Sequence, residues 1–150
     1  MQTTPAAPAG PTFFSWPVRV YYEDTDAAGV VYYANYLRYC ERARTEWLRE
    51  AGFGQQRMMA ERGLGFVVRS FSADYRQPAV LDDALRVVSH IARLGRASIE
   101  FVQRIVRGDE LLFDARVTVA CVDLARRKPV ALPTDVRARL SPFAAPLAAA

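Results

Sequence analysis

Two carboxylates, Asp24 and Asp26, stand in the run Asp24-Thr25-Asp26-Ala27-Ala28-Gly29, just ahead of the one long amphipathic helical pattern in this 150-residue chain. A carboxylate beside a helix start is suited to acyl transfer. The first turn of a helix presents unpaired N–H groups and a partial positive charge, which favour a carbonyl oxygen that gains negative charge. Asp26 would attack the carbonyl carbon or activate a water, and backbone N–H groups near Tyr33 would hold the oxygen. The same residues also suit a commoner task, shaping a turn and capping a helix. Residue type alone leaves both readings open.

Competing chemistries find less support. Asp-x-Asp with glycine at the sixth position resembles the start of an EF-hand loop, but the fifth position is Ala28 and the twelfth is Asn35 where a bidentate glutamate is needed. The single histidine, His90, falls inside a strand-like run without a Gly-x-Ser-x-Gly motif, which argues against a Ser-His-Asp hydrolase. Cys40 and Cys121 form neither a CxxC pair nor a disulfide framework and read as small buried hydrophobes. There is no GxGxxG fingerprint and no P-loop. No metal or organic cofactor is expected.

The elements that must position the acids follow from hydrophobic period. Val18 to Glu23 alternates as a strand ending at the Asp24 turn. Tyr36, Cys40, Ala43, Trp47 and Ala51 recur at three- and four-residue spacing, which predicts a helix from about Ala34 to Ala51 closed by Gly52. A polar, methionine-containing link runs to Arg62-Gly63. Strand patterns then cover Phe66–Tyr75, Leu85–Leu94, Ala97–Arg107 and Leu111–Asp123, the last three joined by short turns as an antiparallel meander. One helix with an apolar stripe and one sheet with an apolar face have only each other to bury against. An α+β domain is expected in which the sheet wraps the helix.

The run Tyr22 to Arg44, YEDTDAAGVVYYANYLRYCERAR, resembles the signature of the hotdog-fold acyl-CoA thioesterases, in particular the 4-hydroxybenzoyl-CoA thioesterase family and its Tol-Pal-associated branch. The similarity continues through ADYRQPAVLDDALRV and LGRASIEFVQRI to about Pro133. It implies a five-stranded antiparallel sheet around a long helix, subunits that join their sheets as dimers and pair again as tetramers, and an active site at the dimer interface. It also implies that Asp26 is the catalytic carboxylate and that a backbone N–H at Tyr33 binds the thioester oxygen. Gly29 falls in the connecting turn and Asn35 and Tyr36 in the same motif; the resemblance also implies that surface basic residues bind CoA, which makes Gly29, Asn35 and, around the Gly95 turn, Arg93 and Arg96 the candidate substrate-binding residues. Tyr33 follows the hydroxybenzoyl-CoA enzymes, whereas many members of the Tol-Pal branch carry histidine there. Glu41 is a weaker site residue, since a helix glutamate is usually solvated or paired with an arginine such as Arg44. Tyr33, Trp47, Phe66 and Phe71 are available to line an acyl pocket or to fill the core.

The implied activity is hydrolysis of an acyl-CoA to a carboxylic acid and free CoA. Two alternatives accompany it: cleavage of a thioester on an acyl-carrier protein, whose acidic surface would suit the net charge of +4, and a non-catalytic acyl-CoA binding or scaffold protein. Positive charge comes from scattered arginines with Lys128 as the one lysine, so no nucleic-acid module is indicated. No apolar run is long enough to span a membrane, and the N-terminus lacks the order of a secretory signal, so a cytoplasmic protein is expected. Residues 1–12 read as a disordered leader, 13–140 as the folded domain and 141–150 as a flexible tail.

Overall fold

A computed structural model of the protein describes residues 12–144. The chain runs β1 (Phe14–Arg19), α1 (Asn35–Glu50), α2 (Gln55–Arg62), β2 (Leu64–Tyr75), β3 (Ala84–Leu94), β4 (Ser98–Arg107), β5 (Glu110–Asp123), the two-residue β6 (Lys128–Pro129) and α3 (Thr134–Leu140). Every strand pairing is antiparallel, in the order β1-β3-β4-β5-β2, with β6 added to β5. Breaks in register at Val68/Ser70, Ile91/Arg93 and Ile105/Val106 bend the strands, the usual effect of a bulge. The curled sheet encloses α1 in the hotdog arrangement.

The packing follows from the two periods. Tyr36, Tyr39, Cys40 and Ala43 of α1 meet Val18, Leu85, Val87, Ile105, Phe113 and Ala115 from alternate sheet positions. One turn further on, Trp47 and Leu48 meet Ile91, Ile99, Phe101, Val117 and Cys121. Gly52, at φ +96°, closes the helix in the left-handed conformation that glycine adopts without a Cβ penalty. Within this core the Tyr39 hydroxyl is buried without a hydrogen-bond partner. Burial, then the nearby Asp24 charge, raises its pKa. Tyr39→Phe is therefore expected to leave the thermal midpoint unchanged or higher, since it removes an unsatisfied polar atom and keeps the ring. A drop equivalent to more than about 1 kcal/mol would mean the hydroxyl has a partner.

Four expectations change. The first strand lies four residues earlier than Val18–Glu23: Tyr21–Asp24 leaves the sheet because the Asp24 carboxylate takes the Tyr21 N–H at 2.8 Å and closes a 3₁₀ turn over Tyr22–Asp24. Pro17 fits inside β1 because that strand lies at the sheet edge. The link before Arg62-Gly63 is the helix α2, which buries one side chain, Met58, and so has no apolar stripe to read. The sheet gains the short β6, and α3 packs Val136 and Leu140 on the core. Ser141–Phe143, expected in the tail, form a 3₁₀ turn that sets Phe143 5.8 Å from Trp47. Residues 1–11 of the leader and 145–150 of the tail lie outside the described residues.

Candidate active site

The segment between β1 and α1 is fixed at both ends. The Val20 N–H donates to the Asp83 carbonyl, and the Asp82 N–H donates back to the Val20 carbonyl, each at 3.0 Å. At the other end, the Val31 N–H reaches the Ala79 carbonyl at 2.8 Å, and the Ala79 N–H donates to the Tyr36 hydroxyl at 3.1 Å. The loop from Asp24 to Tyr36 is therefore held against the β2–β3 connection.

Within it the two acids do different work. The Asp24 carbonyl accepts the Tyr32 N–H at 2.9 Å and the Asn35 side-chain amide at 2.8 Å, while its carboxylate caps the 3₁₀ turn. Asp24 is thus occupied in building the loop. Asp26 sits at the head of a small hairpin: its N–H donates to the Val30 carbonyl at 2.9 Å, and its carbonyl accepts the Gly29 N–H at 3.0 Å. Its Oδ1 accepts the Ala28 N–H at 2.9 Å, which orients the exposed carboxylate and leaves Oδ2 without a bond among the described residues.

Gly29 makes that hairpin possible, since its φ of +82° lies in the left-handed region. An added Cβ would meet nothing within 4 Å, so the strain of Gly29→Ala is purely conformational. That variant is expected to lose about 1 kcal/mol of stability, measured by urea unfolding. No loss at all would show that the turn can rearrange freely.

Asp26 faces a cavity of about 360 Å³ shared with Tyr33, Tyr36, Tyr75, Arg76 and Pro78. Tyr33 stands just before α1; its carbonyl accepts the Tyr75 hydroxyl at 2.8 Å, and its ring packs on those of Tyr32 and Tyr75 at 4.9 and 6.5 Å. Ala34 caps α1 without any side-chain hydrogen bond, so the first-turn N–H groups have no side-chain acceptor there. The Tyr32 and Asn35 N–H groups are taken by the carbonyls of Asp24 and Tyr32, whereas the Tyr33 N–H between them has no such acceptor among the described residues. The cavity thus brings together a carboxylate with a free oxygen, an aromatic wall and a helix start with N–H groups to spare.

Of the residues read from the sequence, Asp26 and Tyr33 meet at this cavity. Asn35 is buried, pinned to Asp24 through its amide and to Arg38 at 3.3 Å, and Gly29 shapes the turn; neither lines the cavity. Arg93 and Arg96 are exposed around the β3–β4 turn, next to Ala120, whereas Tyr75 pairs with Phe113. Arg93 is level with Thr118 through Glu100 and the turn with Ala120 through Ser98, so five to seven residue steps along β5, about 17–23 Å at ~3.3 Å per residue, separate them from Phe113. His90 pairs with Val102 and contacts Phe13 at 5.7 Å, and burial lowers its pKa. Trp47 is core, as is most of Phe71. Sequence reading placed Tyr36 in the Asp26 motif without a catalytic role and passed over Tyr75 and Arg76 as site residues. Their only signal was membership of the YRQP and YYANY runs, which period assigns to strand and helix.

The sequence profile of the thioesterase-like superfamily matches residues 20–140. The chain belongs to that family. It is 53% identical over 125 residues to the acyl-CoA thioesterase YbgC of Haemophilus influenzae, covering 83% of this chain and 92% of that one. Against the acyl-CoA thioester hydrolase YbgC of Escherichia coli O6:H1 the identity is 52% over 126 residues, with 83% and 93% covered. The crystal structure of a probable thioesterase from Bartonella henselae superposes with a TM-score of 0.77 at 37% identity, over 81% of this chain and 99% of the other. The family match spans the Asp26 hairpin, α1 and all of the sheet except β1.

Proposed function

We propose that this chain hydrolyses acyl-CoA to a carboxylic acid and free CoA, with Asp26 as nucleophile or general base and N–H groups at the start of α1, Tyr33 among them, as the oxyanion site. The observation that supports this reading is the shared cavity: it is lined both by Asp26, whose Oδ2 has no bond among the described residues, and by Tyr33, whose N–H has no backbone acceptor among them. As a general base, Asp26 takes a proton from water, the hydroxide oxygen adds to the carbonyl carbon, and the C–S bond breaks with the thiolate of CoA leaving. As a nucleophile, its carboxylate oxygen adds to the carbonyl carbon, the C–S bond breaks with the CoA thiolate leaving, and water then opens the resulting mixed anhydride. After a single turnover in ¹⁸O water, label in the Asp26 carboxylate would establish the nucleophilic route, since only opening of the anhydride at the Asp26 carbon places it there. The names of the YbgC relatives support the substrate class.

Arg76, the cation that lines the cavity, suits the pantetheine and phosphate side of the substrate, and Arg93 and Arg96 suit its distant nucleotide end. Assembly is proposed through β2, an edge strand that exposes Val67 and Val68 at 47% and 52%. Such an edge is a template for strand pairing with a second copy. Among the described residues no helix is long and apolar enough to cross a membrane.

The test is free-thiol release from short aliphatic, long aliphatic and aromatic acyl-CoAs, with the best acyl group also offered on an acyl-carrier protein. Turnover on CoA esters supports the proposal. Faster turnover on the carrier protein would favour the carrier reading, and tight binding of CoA esters with no thiol released from any would favour a binding or scaffold role.

A further inference from the structure

Tyr75 is the last residue of β2, and its backbone is fixed on the sheet: it pairs with Phe113, and the Arg76 N–H that follows donates to the Leu112 carbonyl at 2.8 Å. Its ring is wedged among three others, edge-on to Phe113 at 5.0 Å and to Tyr36 at 5.3 Å, with Tyr33 at 6.5 Å. Phenylalanine would satisfy that packing equally well. What the hydroxyl adds is one bond, donated to the Tyr33 carbonyl at 2.8 Å. Partial burial raises the Tyr75 pKa, so the phenol keeps the proton it donates.

That bond falls on a peptide with no other hold. The peptide that carries the Tyr33 N–H is fixed through its own carbonyl, that of Tyr32, which accepts the Asn35 N–H at 2.8 Å. The next peptide joins the Tyr33 carbonyl to the Ala34 N–H, and neither end has a main-chain partner among the described residues. Among those residues the Tyr75 hydroxyl is therefore its one tether. For an oxygen that gains charge at this helix start, the tether does two things. It restricts rotation of the peptide, which preorganises the N–H groups of Tyr33 and Ala34. It also draws charge from the carbonyl oxygen, which makes the Ala34 N–H of the same peptide a stronger donor.

We propose that Tyr75 is a positioning residue for acyl-CoA hydrolysis, its hydroxyl holding the Tyr33–Ala34 peptide so that the N–H groups at the start of α1 receive the developing oxyanion. It acts through the main chain of a residue 42 positions away in sequence. The inference rests on the reading of that helix start as the oxyanion site. A side chain that only walls the acyl group would serve substrate binding, whereas a tether on the oxyanion peptide serves the transition state alone. The two roles separate in KM and kcat.

Tyr75→Phe keeps the ring and removes the tether. On the acyl-CoA that the wild type turns over fastest among the aliphatic and aromatic esters, kcat is expected to fall about tenfold, less than the roughly hundredfold cost of removing an oxyanion donor outright. KM should not change. Nor should the Kd of a ketone analogue of that ester with CH₂ in place of sulfur, since its carbonyl gains no charge. The thermal midpoint should move by no more than a few degrees, and the Ala34 ¹⁵N amide resonance should shift more than that of Val31, because the lost bond is to its own peptide. Normal kcat, a raised KM at constant kcat, or an unmoved Ala34 resonance would overturn the proposal. A kcat loss that only matches a loss of folded protein would assign Tyr75 a structural role and also overturn it. Asp26→Asn is assayed alongside. Loss of turnover there with full turnover in Tyr75→Phe removes this inference alone, whereas a wild type that releases no thiol from any ester removes the reaction and this inference with it.

Discussion

Asp26→Asn is expected to lower kcat for acyl-CoA hydrolysis at least about a hundredfold, the typical contribution of a positioned acid-base group. Folding stability should change by no more than about 0.5 kcal/mol, as for most exposed positions. The two expectations follow from different oxygens of one side chain. Oδ1 accepts the Ala28 N–H, and an asparagine carbonyl can do the same, so the hairpin persists. Oδ2 has no bond among the described residues, and in the proposed mechanism it carries the reactivity, which the amide cannot supply. KM should move little, because binding of the acyl and CoA portions does not depend on that charge. Asp24→Asn is the matched control. Its carboxylate accepts the Tyr21 N–H and lies close to the Tyr39 hydroxyl, and its carbonyl bonds to Tyr32 and Asn35 are backbone features that the substitution leaves in place. A small effect on kcat is expected there. Near-normal turnover in Asp26→Asn would remove Asp26 from the mechanism, and equal losses in the two variants would mean that the motif acts as one structural unit.

The division of labour between these acids shows where sequence reading reaches and where it stops. Period-3.6 and period-2 patterns carry α1 and the β3-β4-β5 meander because each element buries one continuous face, and burial is what the pattern records. Elements that bury little are not recorded: α2 contributes Met58 alone, and β6 is two exposed residues at a hairpin. The start of β1 was masked for another reason, since Pro17 reads as a breaker until the strand is known to lie at an edge. For the site, the spacing of Asp26 and Tyr33 before a helix pattern is local information, and local hydrogen bonds realise it. Tyr75 and Arg76 enter the cavity only because the end of β2 returns to the start of α1, a contact across some forty residues that no local pattern encodes. The same limit applies to Arg44, whose sequence context suggests an exposed partner for Glu41 and whose fold turns it inward to Gln103.

Phe113→Ala is expected to cost about 3–5 kcal/mol, the range for removing a buried aromatic ring, seen as a lower urea midpoint at unchanged slope. Phe113 is fully buried on β5, with Tyr36 stacked on it at 5.1 Å and 17°, Tyr75 edge-on at 5.0 Å and 72°, and Phe71 at 6.4 Å. Four rings from one helix and two strands meet at this point, so the void cannot close by moving a single side chain, and the cost should fall high in that range. Phe113→Leu retains most of the volume and should recover the larger part of it. The functional consequence follows from what the outer rings do. Tyr36 holds Ala79 through its hydroxyl, and Tyr75 holds the Tyr33 carbonyl, so both cavity walls rest on Phe113 from behind and are tethered in front. If the ring positions depend on backing, the folded Phe113→Ala protein loses kcat/KM as well as stability, through the wall beside the Tyr33 N–H. If the tethers alone suffice, activity per folded molecule stays normal while stability falls. A stability loss below about 1 kcal/mol would instead show that the aromatic cluster can repack around the missing ring, and the rigid wall assigned to the Asp26 cavity would then be wrong.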